Sequence, residues 1–354
     1  MSQQTKRKLK FLLAITPVAW LVILLPITIL VSWWLQTGTL YLTGLSLLFA
    51  PLAGVWIYLS FQTANLTIKW PATQMIGLTT ILTSVLIFSS PLLLLLPSGQ
   101  VALIATVIWI AITCYAVWNA HQIHNTVLSV ASDKIDRTHR MVHLSDIHAG
   151  SRSRSFVNKV VQQALSQKPE AVLITGDLLD SSAVDHKYLQ SLAQFDCPVY
   201  LCLGNHERYV DLDNAIDAIK TNNVHILRNN SITFQNIQFI GIDDADNPEQ
   251  VATQLSSITL KKDLLKILLY HRPQGFETAA DAGIELMFCG HTHAGQIWPF
   301  GLIVKRQFPM LKGAFRHGNA TLYVSQGTGT WGPTMRLGTK CEMTLIELTP
   351  QMQQ

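Results

Sequence analysis

Side chains able to bind metal ions recur through the C-terminal half of the chain, each where a short apolar run meets a glycine or a polar turn. The segments are, in order, Asp146-Ile147-His148, Gly176-Asp177, Gly204-Asn205-His206-Glu207, His271 and Gly290-His291-Thr292-His293. Carboxylate oxygens and imidazole nitrogens both bind first-row transition metals. Together these segments predict a site for two divalent metal ions, and the mixed donor set does not resolve among Mn, Fe and Zn.

The spacing of the ligands indicates how they would be presented. In both Asp146–His148 and His291–His293 the outer residues are two apart, so a turn rather than a regular strand must direct each pair at one ion. Asp177 follows a glycine and is placed to bridge two cations, while Asn205 offers a neutral oxygen that limits the negative charge. Two ions held in this way clamp the attacking and leaving oxygens of a phosphoryl group for in-line displacement.

Predicted strands precede most of the ligand segments. The apolar runs are Arg140–Leu144, Ala171–Thr175, Val199–Leu203, Ile267–Tyr270 and Leu286–Cys289. Helical patterns separate several of them, which predicts an α/β layered sheet. Ligands in such sheets gather outside the carboxyl ends of the strands, so we expect five strand ends to converge on one rim. Ile232–Ile242 and Thr321–Ser325 predict further strands.

The composition changes sharply near residue 121. Between Phe11 and Ala120 the only charged residue is Lys69. All 22 acidic residues follow residue 120, with 21 of the 26 basic ones, so the second part has a net charge of −1 (21 minus 22). The overall charge of +4 comes from five basic residues in the apolar part. Because that excess lies at a predicted membrane boundary, it does not indicate a nucleic-acid partner.

Four apolar stretches, roughly 9–35, 40–61, 75–97 and 101–120, reach or approach the ~20 residues that a spanning helix needs. The sequence therefore predicts a transmembrane anchor of about four helices over 1–120, a linker over 121–137 that consists of a helix exit and a connecting strand, and a catalytic domain over 138–350. The basic cluster of residues 6–10 and Lys69 place the N-terminus and the second loop in the cytoplasm. An even number of spans returns the domain to that side, and an odd number would place it outside.

The order of the motifs over residues 138–347 resembles that of the calcineurin-like metallophosphoesterases. The stretches Leu268–Pro273 and Gly290–Phe300 look closer to the bacterial membrane-anchored branch, although Ala294 stands where that branch often has glycine. The resemblance implies a layered β-sandwich flanked by helices, two divalent metal ions, and a multi-pass protein of the bacterial inner membrane.

The resemblance also implies roles for single residues. The first metal would be held by Asp146, His148, Asp177 and His293, and the second by Asp177, Asn205, His271 and His291. His206 would be the general acid that protonates the leaving oxygen, with Glu207 steadying it where many relatives have aspartate. Asp180 is predicted either to support ligands or to form a turn. Arg272 is a candidate contact for a substrate phosphate, whereas Arg152 and Arg154 are predicted to be exposed.

The predicted function is that of a membrane-anchored phosphoesterase acting on phosphodiester or pyrophosphate bonds. Its expected partners are the lipid bilayer and a phosphoester, with a lipid-linked substrate suggested by location alone. A nucleotide phosphodiesterase or nuclease and a non-enzymatic membrane-bound metal-binding module are the alternatives. Transport is disfavoured because residues 11–68 and 70–120 contain no Asp, Glu, Lys or Arg, and charges within spans are the usual mark of ion or solute pathways. The segment Trp298–Arg316 predicts either contact with membrane or lipid, or a loop packed over the sheet.

Overall fold

The computed structural model describes residues 3–63, 66–181, 184–210, 212–220 and 223–351. The chain divides into two compact units. One consists of Met1–Trp118 with Gly332–Met335, and the other of Asn119–Trp331 with Arg336–Gln354. The division falls close to residue 121, where the composition changes.

Helices make up the described part of the first unit. Their bounds are α1 Gln3–Ala19, α2 Leu25–Leu35, α3 Thr39–Leu47, α4 Ala50–Gln62, α5 Leu66–Ser89 and α6 Ser98–Asn119. A π-helical turn, Trp20–Leu24, joins α1 to α2, and a 3₁₀ turn, Ser90–Leu94, extends α5.

Three helical segments are long and apolar enough to cross a membrane, and up to four if a bent pair counts as one span. The three are Lys10–Leu35, Thr67–Leu94 and Ser98–Asn119, and the bent pair is Thr39–Leu47 with Ala50–Ser60, which meet at 54°. The predicted stretch 75–97 thus begins earlier, and Lys69 lies in the first turn of its helix. A lysine near a helix end can extend its ammonium group towards water, so it is compatible with a span.

Two six-stranded sheets form the second unit. The strands are β1 Ile123–Ser132, β2 His139–Leu144, β3 Ala171–Thr175, β4 Val199–Cys202, β5 Val224–Ile226, β6 Asn230–Phe234, β7 Ile237–Ile242, β8 Leu265–Tyr270, β9 Leu286–Cys289, β10 Gly313–His317, β11 Ala320–Val324 and β12 Cys341–Pro350. The helices are α7 Arg154–Ser166, α8 Asn205–Tyr209, α9 Leu212–Ile219, α10 Gln250–Leu255, α11 Phe276–Asp281 and α12 Gly301–Gln307.

Both sheets are mixed. The first has the order β1-β12-β2-β3-β4-β5 and the second β10-β11-β9-β8-β7-β6. Strands β2 to β5 are mutually parallel, as are β7, β8, β9 and β11. Every residue of β3 and of β8 is buried, which explains why those strands are continuous apolar runs rather than alternating ones. The predicted α/β fold is confirmed.

The sheets pack face to face with helices on their outer sides. The inner core joins side chains of β2, β3 and β4 to side chains of β7, β8 and β9, and Tyr200 stacks on Phe239 with ring centroids 4.3 Å apart. One outer core includes Phe156 and Val160 of α7. The other includes Phe276 of α11. The layered β-sandwich flanked by helices is therefore present.

Two predicted segments differ from the structure. Within the expected linker 121–137, residues Ile123–Ser132 form strand β1 and pair in parallel with β12 over ten residues, so this part belongs to the sheet. The segment Ile232–Ile242 is not one strand. It belongs to an antiparallel hairpin, β6 and β7, which turns at Gln235 with a φ of 51°.

Candidate metal centre

The sequence-predicted ligands meet at the carboxyl ends of strands from both sheets. Asp146 follows β2, Asp177 follows β3 and Asn205 follows β4, while His271 and His291 follow β8 and β9 of the other sheet. The carboxylates of Asp146 and Asp177 and the ring of His271 are buried. The convergence of five strand ends expected from the sequence is present in the structure.

The first ligand group consists of Asp146, His148 and His293, whose ligand atoms lie within 4.8 Å of one another. Nε2 of His148 lies 3.0 Å from Nε2 of His293, and that nitrogen lies 3.4 Å from Oδ1 of Asp146. Two ring nitrogens and a buried carboxylate therefore point at one small volume.

The second group consists of Asp177, His271 and His291. Nε2 of His271 lies 3.1 Å from Oδ2 of Asp177, from Oδ1 of Asn205 and from Nδ1 of His291. Nδ1 of His271 donates to the carbonyl oxygen of Thr175 at 2.8 Å. Since that carbonyl can only accept, the hydrogen bond leaves Nε2 as the nitrogen directed at the centre.

Asp177 connects the two groups. Its Oδ2 lies 3.9 Å from Nε2 of His148 and 3.9 Å from Nε2 of His206, and a third overlapping group joins these three residues. Burying carboxylates costs free energy unless opposite charge compensates them. The nitrogen and oxygen donors suit first-row divalent ions, so the residues fit a cation in each group, with Asp177 between them.

The backbone turns sharply at five of the ligands. Asp146, His148, Asp177, His291 and His293 all adopt positive φ values, between 47° and 70°. Residues with a side chain seldom occupy this left-handed region, and such conformations cluster at functional sites. These turns bring Asp146 and His148 into one ligand group, whereas His291 and His293, which were expected to share an ion because they are also two apart, belong to different groups.

Two glycines allow the loops to approach each other. A Cβ atom on Gly290 would overlap the carboxylate of Asp146, and one on Gly204 would overlap that of Asp177. The glycines of the sequence motifs therefore make room for the ligands themselves.

Glu207 acts on the loops rather than on the His206 ring. Its buried carboxylate accepts hydrogen bonds from the backbone N–H groups of Asp177 at 3.0 Å, Leu179 at 2.9 Å and Gly204 at 2.7 Å. It thereby ties the loop after β3 to the loop after β4. The expectation that Glu207 steadies the ring differs from this geometry.

Asp180 is the carboxylate that contacts the ring of His206. Its Oδ1 lies 2.6 Å from Nδ1 of His206, and its other oxygen accepts from the hydroxyl of Ser151. Burial alone would lower the pKa of His206, but the charges of Asp177 and Asp180 raise it to about 9. Of the two roles predicted for Asp180, support of a site residue is the one that the contacts favour.

The arginines divide differently from the prediction. Arg272 donates from Nε to Asp244 at 2.6 Å and from Nη2 to Asp246 at 2.6 Å. Arg154 is exposed, as expected. Arg152 is buried instead, because its guanidinium lies 3.6 Å from the centre of the Phe156 ring and donates to a backbone carbonyl.

Arg336, which no sequence motif marks, has a fully buried side chain behind the centre. Its guanidinium donates to the carbonyl oxygens of His293 at 2.9 Å, Gly327 at 3.1 Å and Gly329 at 2.7 Å. Nη2 also lies 3.1 Å from Nδ1 of His293. A single arginine gives no sequence signal, although the preceding glycine-rich segment 327–332 could have drawn attention to it.

Two exposed aromatic residues flank His206. The ring centroids of Tyr209 and Trp331 lie 5.5 and 6.0 Å from that of His206, both edge-on. The side-chain amide of Gln296 bonds to both the N–H and the carbonyl of Trp331, each at 2.9 Å. This double hydrogen bond fixes the backbone of Trp331 beside the centre.

A sandwich of two mixed sheets, with aspartate, asparagine and histidine side chains converging at the strand ends, defines the class of metal-dependent phosphoester hydrolases. Residues 139–295 match the sequence model of the family described as calcineurin-like phosphoesterase. The chain belongs to this family, and the resemblance seen in its motifs is confirmed.

Several relatives share the domain. An uncharacterized metallophosphoesterase of Helicobacter pylori strain J99 is 33% identical over 62% of this chain and 62% of its own length. A transmembrane protein with metallophosphoesterase domain from Danio rerio is 29% identical over 71% of this chain and 63% of its own length. The chain spans about six tenths of the length of the curated relatives it matches.

Among solved structures, a putative 5'-nucleotidase from Staphylococcus aureus shares 14% identity over 61% of this chain and 55% of its own, with a TM-score of 0.37. A likeness at this level supports no functional argument.

Proposed function

We propose that this chain is a membrane-associated phosphoesterase that hydrolyses phosphodiester or pyrophosphate bonds with two divalent metal ions. The observation that supports this most directly is the pair of ligand groups that meet at Asp177, with His206 beside them. Five of the ligands adopt left-handed backbone, a costly conformation that clusters at functional sites.

We assign one ion to each group. Asp146, His148, Asp177 and His293 would hold the first ion, and Asp177, Asn205, His271 and His291 the second. When bound, the ions supply Lewis-acid stabilisation of the phosphoryl oxygens and activate water for in-line attack. Burial of the ligands excludes other water from the centre and strengthens every charge interaction there.

His206 is suited to protonate the leaving oxygen. The carboxylate of Asp180 accepts from Nδ1, which fixes the orientation of the ring and leaves Nε2 facing the centre. The same carboxylate, with Asp177, raises the pKa of His206, which favours the protonated form of the ring. A protonated, oriented imidazole next to the reacting bond is what a general acid requires.

Arg272 is proposed to contact a substrate phosphate. It directly follows His271, and its pairing with Asp244 and Asp246 holds the guanidinium in place. A guanidinium fixed by carboxylates can still donate from its remaining N–H groups to a phosphate oxygen.

The membrane location rests on the apolar helices, and the cytoplasmic orientation on the basic residues that precede α1. We propose a lipid-linked phosphoester as the substrate class, because the sheet unit belongs to the same chain as helices that are apolar enough to lie in a bilayer. A nucleotide phosphodiesterase is the second candidate, since the rings of Tyr209 and Trp331 beside His206 offer surfaces on which a base could stack.

The deciding experiment uses the full-length protein in detergent, stripped of metal and then supplied with Mn²⁺, Fe²⁺ or Zn²⁺. Bis-p-nitrophenyl phosphate and p-nitrophenyl phosphate serve as test esters. We expect turnover that depends on the metal and is faster for the diester, with two ions bound per chain. Two bound ions without turnover of either ester would favour a non-enzymatic metal-binding module and contradict the proposal.

A further inference from the structure

Exposed apolar side chains gather at one place in the sheet unit. In the described part of residues 119–351, seven large apolar side chains are exposed, and four of them fall within Trp298–Ile303. Their exposed fractions are 45% for Trp298, 49% for Phe300, 65% for Leu302 and 58% for Ile303. Four exposed apolar side chains within six consecutive residues, called the apolar patch here, are typical of an interaction surface rather than of a core.

Basic residues accompany the patch. Lys305 and Arg306 occupy the last turn of α12, and Lys312 and Arg316 follow it. Residues 286–341 contain no aspartate or glutamate at all. Exposed aromatic and aliphatic side chains next to an excess of basic ones are typical of segments that lie in the interface of an anionic membrane.

Helix α12 is attached to the loops of the metal centre at both of its ends. At its start, Gly301 packs so closely on Gly295 that a side chain on Gly295 would overlap its backbone. At its end, the buried ring of Phe308 lies 4.9 Å from the ring of His291. Between these two anchors no residue of α12 is buried. The helix is therefore held to the histidine loop from one side and open on the other.

We propose that Trp298–Arg306 is an interfacial segment that enters the headgroup and acyl boundary of an anionic bilayer. Its apolar side chains insert, and Lys305 and Arg306 contact lipid phosphates. The inference rests on the proposed function, because it assumes membrane association and names lipid phosphoesters as the substrates presented to the site.

Two arguments favour a bilayer over a second copy of the chain. Like basic patches repel each other in a symmetric contact, whereas an anionic lipid surface attracts them. Only residues 120–122 separate α6 from β1, so a bilayer that holds α6 is always present at high effective concentration. The four side chains also cannot be explained as a loop packed over the sheet, since they are exposed.

The test uses the full chain in nanodiscs, with a fluorescent nitrobenzoxadiazole label at Leu302→Cys. Cys114 and Cys197, the two cysteines that are not buried, are first replaced by alanine. Ser257→Cys, an exposed position after α10, is the matched control. In a bilayer with brominated acyl chains and about 30% phosphatidylglycerol, we expect roughly twofold or stronger quenching at position 302 and none at 257.

Equal quenching at the two positions would overturn the proposal. A blue shift at 302 without quenching would also overturn it, in favour of contact with a second copy. Lys305→Glu with Arg306→Glu should reduce the quenching, and unchanged quenching in pure phosphatidylcholine would overturn the assignment to anionic lipid. Because no substrate is present, these outcomes are independent of whether the protein proves to be an enzyme.

A functional arm links the segment to substrate. Leu302→Ser with Ile303→Ser should slow hydrolysis of a phosphodiester embedded in the bilayer by roughly tenfold, because less of the segment inserts. Turnover of soluble bis-p-nitrophenyl phosphate should stay within about twofold, since neither side chain is a ligand. Equal losses on both substrates would contradict the proposal, and no turnover by the unaltered chain would contradict the proposed function instead.

Discussion

Buried polar side chains are used differently in the helical unit and in the sheet unit. In the helices, the hydroxyls of Thr79 and Ser60 bond to carbonyls of their own helix, three or four residues earlier. In the sheets, His148 contacts His293, 145 residues later, and Asp146 accepts from the backbone of His291. A hydrogen bond within one helix satisfies a polar side chain without help from any other part of the fold. Contacts between residues far apart in sequence instead bring side chains together into a site.

The apolar side chains show the opposite placement. Leu40 and Leu94 of the helical unit are 90% and 88% exposed, while Phe239 and Phe288 of the sheets are fully buried. Exposed leucine on this scale is stable next to lipid, where backbone groups must be satisfied within the helix. Apolar side chains of the sheets are removed from water by the inner core, whereas those of the helices would be removed from water by surrounding lipid.

Replacing the residue shared by the two ligand groups should have the largest effect on the sheet unit. Asp177→Asn keeps the shape but removes the charge between the groups, so metal binding and turnover should fall together, the latter by more than ~10⁴-fold. Metal content by mass spectrometry and diester turnover test this. Full metal content with lost activity would show that Asp177 is not the connecting ligand.

Altering the proposed general acid should separate chemistry from metal binding. His206→Gln should lower the rate on an alkyl diester by about 10²–10⁴-fold, because the leaving oxygen is no longer protonated. Metal content should stay the same, and the loss should be smaller on p-nitrophenyl esters, whose leaving group needs little protonation. Asp180→Asn should produce part of the same pattern. A loss equal on both leaving groups would refute this role for His206.

Core substitutions test the contrast in apolar side chains directly. Phe239→Ala should destabilise the sheet unit by about 3–5 kcal/mol, since it empties the space against Tyr200. Leu94→Ala removes an exposed side chain and should change that stability by less than about 0.5 kcal/mol. Urea-dependent alkylation of the buried thiols of Cys202 and Cys289 reports unfolding of the sheets. Similar shifts for both variants would contradict the comparison.

Arg336 offers a smaller effect on the same centre. Arg336→Lys keeps the charge but cannot reach three carbonyls and the His293 ring at once, so metal affinity should fall about 10–100-fold. A titration with Mn²⁺ followed by calorimetry would measure it. Unchanged affinity with lowered thermal stability would show that Arg336 serves folding alone.

The smallest change is expected in the helical unit. Thr79→Val removes a hydroxyl that donates to the carbonyl oxygens of Met75 and Ile76, one turn earlier in its own helix. Stability should therefore change by less than about 0.5 kcal/mol, and turnover should stay the same. A thermal unfolding scan in detergent would measure the stability. A loss comparable to that of Phe239→Ala would mean that the hydroxyl has a role beyond its own helix.

Much of the site could be predicted because its ligands follow apolar strands directly. Asp146, Asp177 and His291 each stand two residues beyond such a run, and the parallel arrangement of strands brings those ends together. The contact between Asp180 and His206 depends on how two loops fold towards each other, which no spacing records. The burial of Arg152 likewise depends on the ring of Phe156 and on a distant carbonyl.

The fold was predictable in class but not in its long-range pairing. A connecting strand could be predicted within 121–137, but not its place in the sheet, because its partner β12 lies at the other end of the chain. The hairpin of β6 and β7 was not predicted, because polar and apolar residues alternate through both strands and the turn between them, as they would in a single strand. The number of spans depends on whether α3 and α4 together form one bent span, and this depends on the angle between them rather than on composition.

The left-handed backbone of the five ligands also bears on how the cell maintains this protein. Each such residue costs on the order of 1 kcal/mol, so their sum approaches the ~5–15 kcal/mol that holds a typical domain together. Bound cations would offset this cost by mass action. A shortage of metal should therefore lower the amount of protein through proteolysis, and abundance in the cell should follow metal supply.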